Sequence, residues 1–583
     1  MPIDTSLRSL FTFRDREPRL LIESALLGVA GALSARLFMW LLGWCNRILL
    51  LGIAGYTPPG IENGPSHEII GAHGLWLVPI ATTVGGLLSG FLVFRFAPEA
   101  EGHGTDTVVE AFHRHEGVIR TRVPLIKLVA SAITIGSGGS AGREGPIALI
   151  TAGVASVYSR LMHRDEAERR LLLLAGMAAG LSAIFRTPMG TGVFAIEVLY
   201  GNMEFEVGAF LYTMVASAVA FTVNAAFVGF HPLFRVPAIP TPSVHDYIAY
   251  AILGVAAGLI GTSLPMVFYR TRDLFHLLPI PAWTKPAVGG LLLGLLALWL
   301  PQILGGGYGW IQLAIDGRLA LHLLILLLLA KMVAFALTVG SGGSGGVFAP
   351  SLFVGAMLGG AFAVALHQIP AVFAVVGMAA VFGAAARVPV ATMLMVTEMA
   401  GGYHLLVPAG LAVMIASLLQ KRLSSFLRYR SLYEGQVPAP GDSPAHYLEH
   451  IQIALNLLGR RHLPLGSQLG HLDLLRLLRS RVRFDLPGGR ELTMWSVDED
   501  SPSAGKTVGS LYRQLSQFDF EVMTIMRREH ILLPHSETML QAGDHLVLIT
   551  SPHAREPLSR VLEPTNEGPA DSVQPAAASK QGD

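Results

Sequence analysis

The sequence predicts an all-α polytopic membrane protein with an internal inverted repeat and broken helices, followed by a small C-terminal α/β domain. Three observations carry this prediction. Hydrophobic residues make up 52% of the 583-residue chain and charged residues 14%, against about 25% charged in a typical soluble domain. A glycine-rich break is written twice: "KLVASAITIGSGGSAGREGP" (Lys127–Pro146) and "KMVAFALTVGSGGSGGVFAP" (Lys331–Pro350) match at 12 of 20 positions. After Gln420 the long apolar segments give way to short alternating ones. The composition excludes an ordinary soluble enzyme. The net charge of +1 selects no partner class, and no nucleic-acid partner is expected.

Residues 1–19 are charged and lack an apolar core, so no cleavable signal peptide is expected. Their four arginines predict a cytoplasmic N-terminus. Residues 20–436 form the membrane domain, in two repeats of about 20–230 and 245–436. The uncharged runs Gly74–Phe94, Val207–Phe230 and Tyr247–Tyr269 are each long enough to cross a bilayer as a helix. Between Pro124 and Tyr200 the apolar pieces are short or broken by Gly and Pro. Irregular backbone at membrane depth is tolerated only where it is buried or lines a wet cavity, so the breaks point to a site. The repeat extends to "GMAAGLSAIFRTPMGTGVFAIE" (Gly176–Glu197) and "GMAAVFGAAARVPVATMLMVTE" (Gly377–Glu398). Glu197 and Glu398 read as helix anchors.

Residues 437–489 read as a linker, "VPAPGDSP", and a Leu/Arg-rich helical stretch over Tyr447–Arg483. In 490–564, "ELTMWSV", "FEVMTIMR" and "DHLVLIT" read as strands and "TVGSLYRQL" as a helix between two of them. Residues 565–583 read as a disordered tail. Cys45 is the only cysteine, so no internal disulfide can form. The expected location is the inner (plasma) membrane, with both termini cytoplasmic.

The chemistry lies in the breaks. A helix start carries unpaired N–H groups and a partial positive charge, and holds an anion without a formal cation. "GREGP" (Gly142–Pro146) and "GVFAP" (Gly346–Pro350) both read as a glycine approach followed by a helix start. Two such starts from two half-chains would cage an anion at mid-membrane. Glu144 is ionisable within an apolar break, which marks it as functional; its alternative is an ion pair with Arg143 or Arg186. In "FHRHEG" (Phe112–Gly117), His113 and His115 lack further ligands, so a solvated loop is expected and no metal site.

These motifs resemble two of the three filter motifs of the CLC chloride channel and transporter family. The third corresponds to "GHGTD" (Gly102–Asp106), and "RSLYEGQV" supplies the tyrosine the family carries near the end of its membrane part. The resemblance implies a homodimer with an anion pathway in each subunit. It implies chloride or another small anion bound by His103, Arg143, Glu144, Gly145, Val347, Phe348 and the Tyr433 hydroxyl, within filter motifs built on Gly102, Gly104, Gly142, Pro146, Gly346 and Pro350. Glu144 would be the gate, a carboxylate that occupies an anion site and swings away. Tyr433 could instead be a packing aromatic. His103 stands where the family usually has serine, and Asp106 where it has proline. The imidazole could donate to the anion, or bond a backbone carbonyl instead.

Proton-coupled members resemble one another in a second glutamate that relays protons from the cytoplasm. Val198 occupies that position here, after Glu197. The expectation is therefore a chloride channel. The alternatives are a proton-coupled chloride antiporter, using water or another carboxylate such as Glu204 or Glu206, and a ligand-sensing protein with secondary transport. "SAGKTVGSL" fails as a phosphate loop, because Asp500 stands where that motif needs glycine. The segment from "AGKTVGSL" to "DHLVLITSP" resembles the RCK-C (TrkA-C) domain. That resemblance implies a paired regulatory module, with a small molecule or cyclic dinucleotide at the pair interface or a purely stapling role. No other cofactor is expected.

Overall fold

The computed structural model describes residues 16–60, 67–237, 244–440, 443, 445, 484–486, 490–498, 500–527, 530–532 and 534–562. It divides into a membrane unit, residues 1–438, and a C-terminal unit, residues 439–583. Among the described residues, seven helical segments are long and apolar enough to cross a bilayer.

The first repeat runs α1 Arg16–Cys45, α2 Val78–Phe96, α3 Thr105–Arg114, α4 Arg122–Gly136, α5 Glu144–Leu161, α6 Glu166–Phe185, α7 Pro188–Glu197 and α8 Phe210–Val228. The second runs α9 Val244–Leu277, α10 Lys285–Ala297, α11 Tyr308–Ile315, α12 Leu321–Val339, α13 Phe348–Ala365, α14 Pro370–Ala386, α15 Pro389–Met399 and α16 Leu406–Ser424. Several are too short to span: α3 and α7 have 10 residues, α11 has 8 and α15 has 11. Outward-facing side chains such as Leu37, Trp40, Trp44, Ile252 and Leu418 are exposed. That suits a surface that meets lipid and not water.

Helix limits depart from the apolar runs where turn chemistry intervenes. Gly74 adopts φ +63° and Pro79 lies in the first turn, so α2 begins at Val78 and not at Gly74. Helix α9 spans 34 residues and contains Pro265. It runs past Tyr269 because Arg270, Arg272 and Asp273 extend it beyond the apolar stretch.

The repeat is visible in unusual backbone. Arg186 and Arg387 end α6 and α14 with φ of +60° and +57°. Gly142 and Gly346 exchange two hydrogen bonds of 2.7 Å as an antiparallel pair, the arrangement a local twofold axis produces. Glu197 accepts from the amides of Val390 (3.1 Å) and Ala391 (2.6 Å) at the start of α15. Glu398 accepts from Met189 (3.2 Å) and Gly190 (2.8 Å) at the start of α7. Each repeat thus supplies the carboxylate that satisfies the other's helix start. The start of the expected linker is stitched to the membrane unit: Val437 pairs with Tyr200, and the Gly201 and Asn202 amides donate to Val437 and Pro438. The helical stretch expected over Tyr447–Arg483, residues 1–15 and the tail 565–583 lie outside the described residues.

In the C-terminal unit, β1 Phe484–Leu486, β2 Arg490–Ser496, β3 Phe520–Arg527, β4 His530–Leu532 and β5 His545–Thr550 form one antiparallel sheet, ordered β1-β2-β5-β3-β4. The helix α17 Val508–Gln514 is capped by the Thr507 hydroxyl. It packs with α18 Arg555–Leu562 on a core of Val508, Leu511, Val522, Ile525, Leu546, Leu548 and Leu558. Buried Asp544 bonds Arg527 at 2.7 and 2.8 Å, which raises the guanidinium pKa further.

Candidate anion-binding site

Glycine brings the two broken segments together. Helices α5 and α13, 18 residues each, begin within three residues of the Gly142–Gly346 pair. Pro146 and Pro350 occupy the first turn of each, where a missing N–H costs nothing. Gly104 precedes α3 at φ +85°, a conformation other residues rarely adopt. Gly145 admits no side chain, because the carbonyl of His103 fills the space a Cβ would need.

Glu144 opens α5 and is 1% exposed. The amides of Arg143, Glu144 and Ala349 face its carboxylate, yet neither oxygen completes a well-aligned hydrogen bond. Arg143 Nε lies 3.9 Å away, and the Arg143 guanidinium stacks 4.4 Å over Tyr308. The carboxylate therefore rests between the starts of α5 and α13, held by dipoles and charge but not locked. The N–H groups expected at Val347 and Phe348 open α13 as read, and Ala349 joins them.

On one side of Glu144 is a cavity of about 370 Å³, lined by Arg36, Arg143, Arg186 and the Leu304–Trp310 strip, with no acidic residue among those lining it. Arg186 also reaches His231 at 2.8 Å. A second cavity, of about 800 Å³, is lined by Glu99, Glu101, Asp106 and Asp273, with Arg272, Arg428, His103 and His276. Residues 304–308 and 101–105 occupy equivalent places in the two repeats. The mouths are therefore related by the repeat but opposite in charge.

His103 is 6% exposed and sits at the second mouth. Its Nε2 lies 3.2 Å from Asp106, and its Nδ1 is buried without a partner. The ring meets Tyr433 edge-on at 5.5 Å. Tyr433 is 2% exposed, with its hydroxyl beside Thr105. Asp106 accepts from the amides of Glu434 and Gly435 at 3.1 Å each, so it fastens the Tyr433 segment to the filter loop. No signal within "GHGTD" reveals this, since the contact spans 328 residues. Sequence reading also passed over a buried pair. Lys127 donates to Ala100 (3.0 Å) and Gly102 (2.6 Å), and Lys331 donates to Ile303 (2.8 Å) and Gly305 (2.7 Å). The signal was present: each copy of the repeated motif opens on lysine.

Val198 is fully buried at the end of α7, and its carbonyl accepts from Gln436. Glu206 is bonded by the Tyr200 hydroxyl at 2.6 Å. The expected "FHRHEG" loop is in part helix α3. His113 is buried against the Leu199 carbonyl at 3.1 Å, because it falls on the inward face of that helix, while His115 is exposed.

The family model described as "Voltage gated chloride channel" matches residues 85–421, and that described as "TrkA-C domain" matches residues 492–562. A protein of Ralstonia nicotianae named "Putative chloride channel protein ClcB-like" is 30% identical, over 67% of this chain and 91% of its own. The "H(+)/Cl(-) exchange transporter ClcA" of Cronobacter sakazakii is 30% identical, over 72% of this chain and 90% of its own. Among solved structures, "a slow cyanobacterial Cl-/H+ antiporter" aligns with a TM-score of 0.60 at 22% identity, covering 75% of this chain and 97% of that one. "A CLC-type fluoride/proton antiporter" aligns with a TM-score of 0.61 at 22% identity, covering 72% and 98%.

Proposed function

We propose, from the premise that this chain belongs to the CLC family of voltage gated chloride channels and carries a TrkA-C domain, that it exchanges chloride for protons across the membrane. One observation carries the reading. A buried carboxylate, Glu144, rests at two facing helix starts without a completed hydrogen bond; its neighbour Arg143 lines one cavity, and its neighbour Gly145 packs on His103, which lines the other. A carboxylate so placed stands in for an anion while charged, and gives up the place when it takes a proton. Chloride occupancy and proton occupancy are then two states of one site. The relatives named exchange transporters favour this over the channel expected from Val198. The channel remains as second reading on two grounds: Val198 cannot carry a proton, and one relative is named as a channel protein.

In this reading His103 and Tyr433 face the central anion, and Arg143 guards the arginine mouth. The carboxylate mouth opens to the cytoplasm, the side on which the Tyr433 segment, tied to Asp106, ends the membrane unit. Two chains pair, each with its own pathway, and the TrkA-C domain regulates them through a small-molecule ligand. Proteoliposomes with a tenfold chloride gradient test the exchange: uphill proton movement at a fixed ratio is expected, and chloride flow without proton movement would establish the channel.

A further inference from the structure

We infer that His103, steadied by Asp106, passes protons between the carboxylate mouth and Glu144, the task Val198 leaves undone. This rests on the exchange reading above. Four observations support it.

The His103 ring bridges two environments. Its Nε2 is bonded toward Asp106, which is 25% exposed and lines the cavity, while its Nδ1 is buried and unpartnered. An imidazole can take a proton at one nitrogen and release it from the other.

The His103 backbone lies against the segment that carries Glu144. The His103 carbonyl packs on Gly145, the neighbour of Glu144, closely enough to forbid a Cβ there. Tyr433 meets the ring edge-on at 5.5 Å.

Asp106 is fixed. Two backbone amides hold its carboxylate, so it keeps one orientation toward the ring.

The mouth itself favours protons over anions. Glu99, Glu101 and Asp106 come from the filter segment, and Lys127 of α4 sits behind it on the Ala100 and Gly102 carbonyls. Helix α9 contributes Tyr269, Arg272, Asp273 and His276. The segment after α16 contributes Arg428, and Glu434 of the same segment pairs with Arg272 at 2.6 Å. Four carboxylates and two arginines line the cavity, with Glu99 also paired to Arg120, whereas three arginines and no acid line the other mouth. Such a field raises the local concentration of cations.

The transfer balances. A proton from cavity water reaches the Asp106 carboxylate and passes to Nε2, while the proton on Nδ1 leaves toward Glu144. The ring gains one proton and loses one, and a half-turn of the ring about its Cβ–Cγ bond, which exchanges the two nitrogens, resets it.

The test is the proton-to-chloride ratio of the full-length protein in liposomes. His103→Ser is expected to lower that ratio at least tenfold, whatever its absolute chloride rate. Adding Val198→Glu to His103→Ser is expected to restore it, because a carboxyl then stands on another route. Should His103→Ser not insert, His103→Asn carries the same expectation. A wild-type ratio in the histidine variant, or a lost ratio that Val198→Glu fails to recover, overturns the relay and leaves the exchange reading standing. An uncoupled wild-type protein overturns both.

Discussion

The two cavities flanking Glu144 begin from the same stretch of the repeat, residues 304–308 on one side and 101–105 on the other. Their backbones agree: Gly102 and Gly305 have φ of +67° and +58°, Gly104 and Gly307 of +85° and +75°, and a buried lysine holds each strip by two carbonyls. Their side chains do not. One mouth presents three arginines and no acid, the other four carboxylates with two arginines. The repeat therefore keeps backbone geometry while side-chain charge differs. In the reading proposed above, the anion site lies in the shared part and direction in the part that differs.

The shared part should break hardest. Lys127→Met and Lys331→Met each strand two carbonyls, one of them buried, and each should cost about 3 kcal/mol of stability. Detergent-solubilised melting curves should show equal losses for the two. Unequal losses would mean the two strips are not equivalent supports.

Glu144→Gln should lower proton transport about a hundredfold, the scale of losing a positioned proton carrier. Chloride flux in the wild type should rise on acidification, as protonation clears the carboxylate from its site. In the variant, flux should stay flat with pH. A variant that still pumps protons would remove Glu144 from the centre of the comparison.

The charge difference is then open to removal. Arg143→Gln should slow chloride entry from the arginine mouth about tenfold, since one charge at roughly 8 Å is worth about 2 kcal/mol at an effective dielectric near 20, less screening. Influx and efflux measured separately report this, and equal slowing on both sides would count against a side-specific role. Glu101→Gln should raise chloride entry from the other mouth about threefold, a gain that impermeant salt should erase at a Debye length of about 10 Å or less. A gain that persists in salt would point to a local contact and not to the field.

The membrane fold was legible because glycine breaks, helix starts and the Glu197/Glu398 pair recur at nearly constant separation. Glu144 was legible because only one copy of the break carries an acid. Asp106 was not, since its partners Glu434 and Gly435 come from the far end of the membrane unit. The opposed charges of the mouths were hidden for the same reason: Asp273, His276 and Arg428 join Glu101 only in three dimensions. In the C-terminal unit the strands β2, β3 and β5 and the helix α17 fall on the segments read as strands and helix.

The crossed carboxylates also set a clock on synthesis. Glu197 reaches forward 193 residues to Val390, and Glu398 reaches back 209 to Met189. At roughly 5–20 residues per second, the first half leaves the ribosome about 10–40 s before its partners exist. For that interval α7 has two bare amides at its start and an unmatched acid at its end, inside or beside the membrane. A nascent half of this protein is therefore a client for whatever shelters polar groups during insertion, and the completed chain is its own release signal.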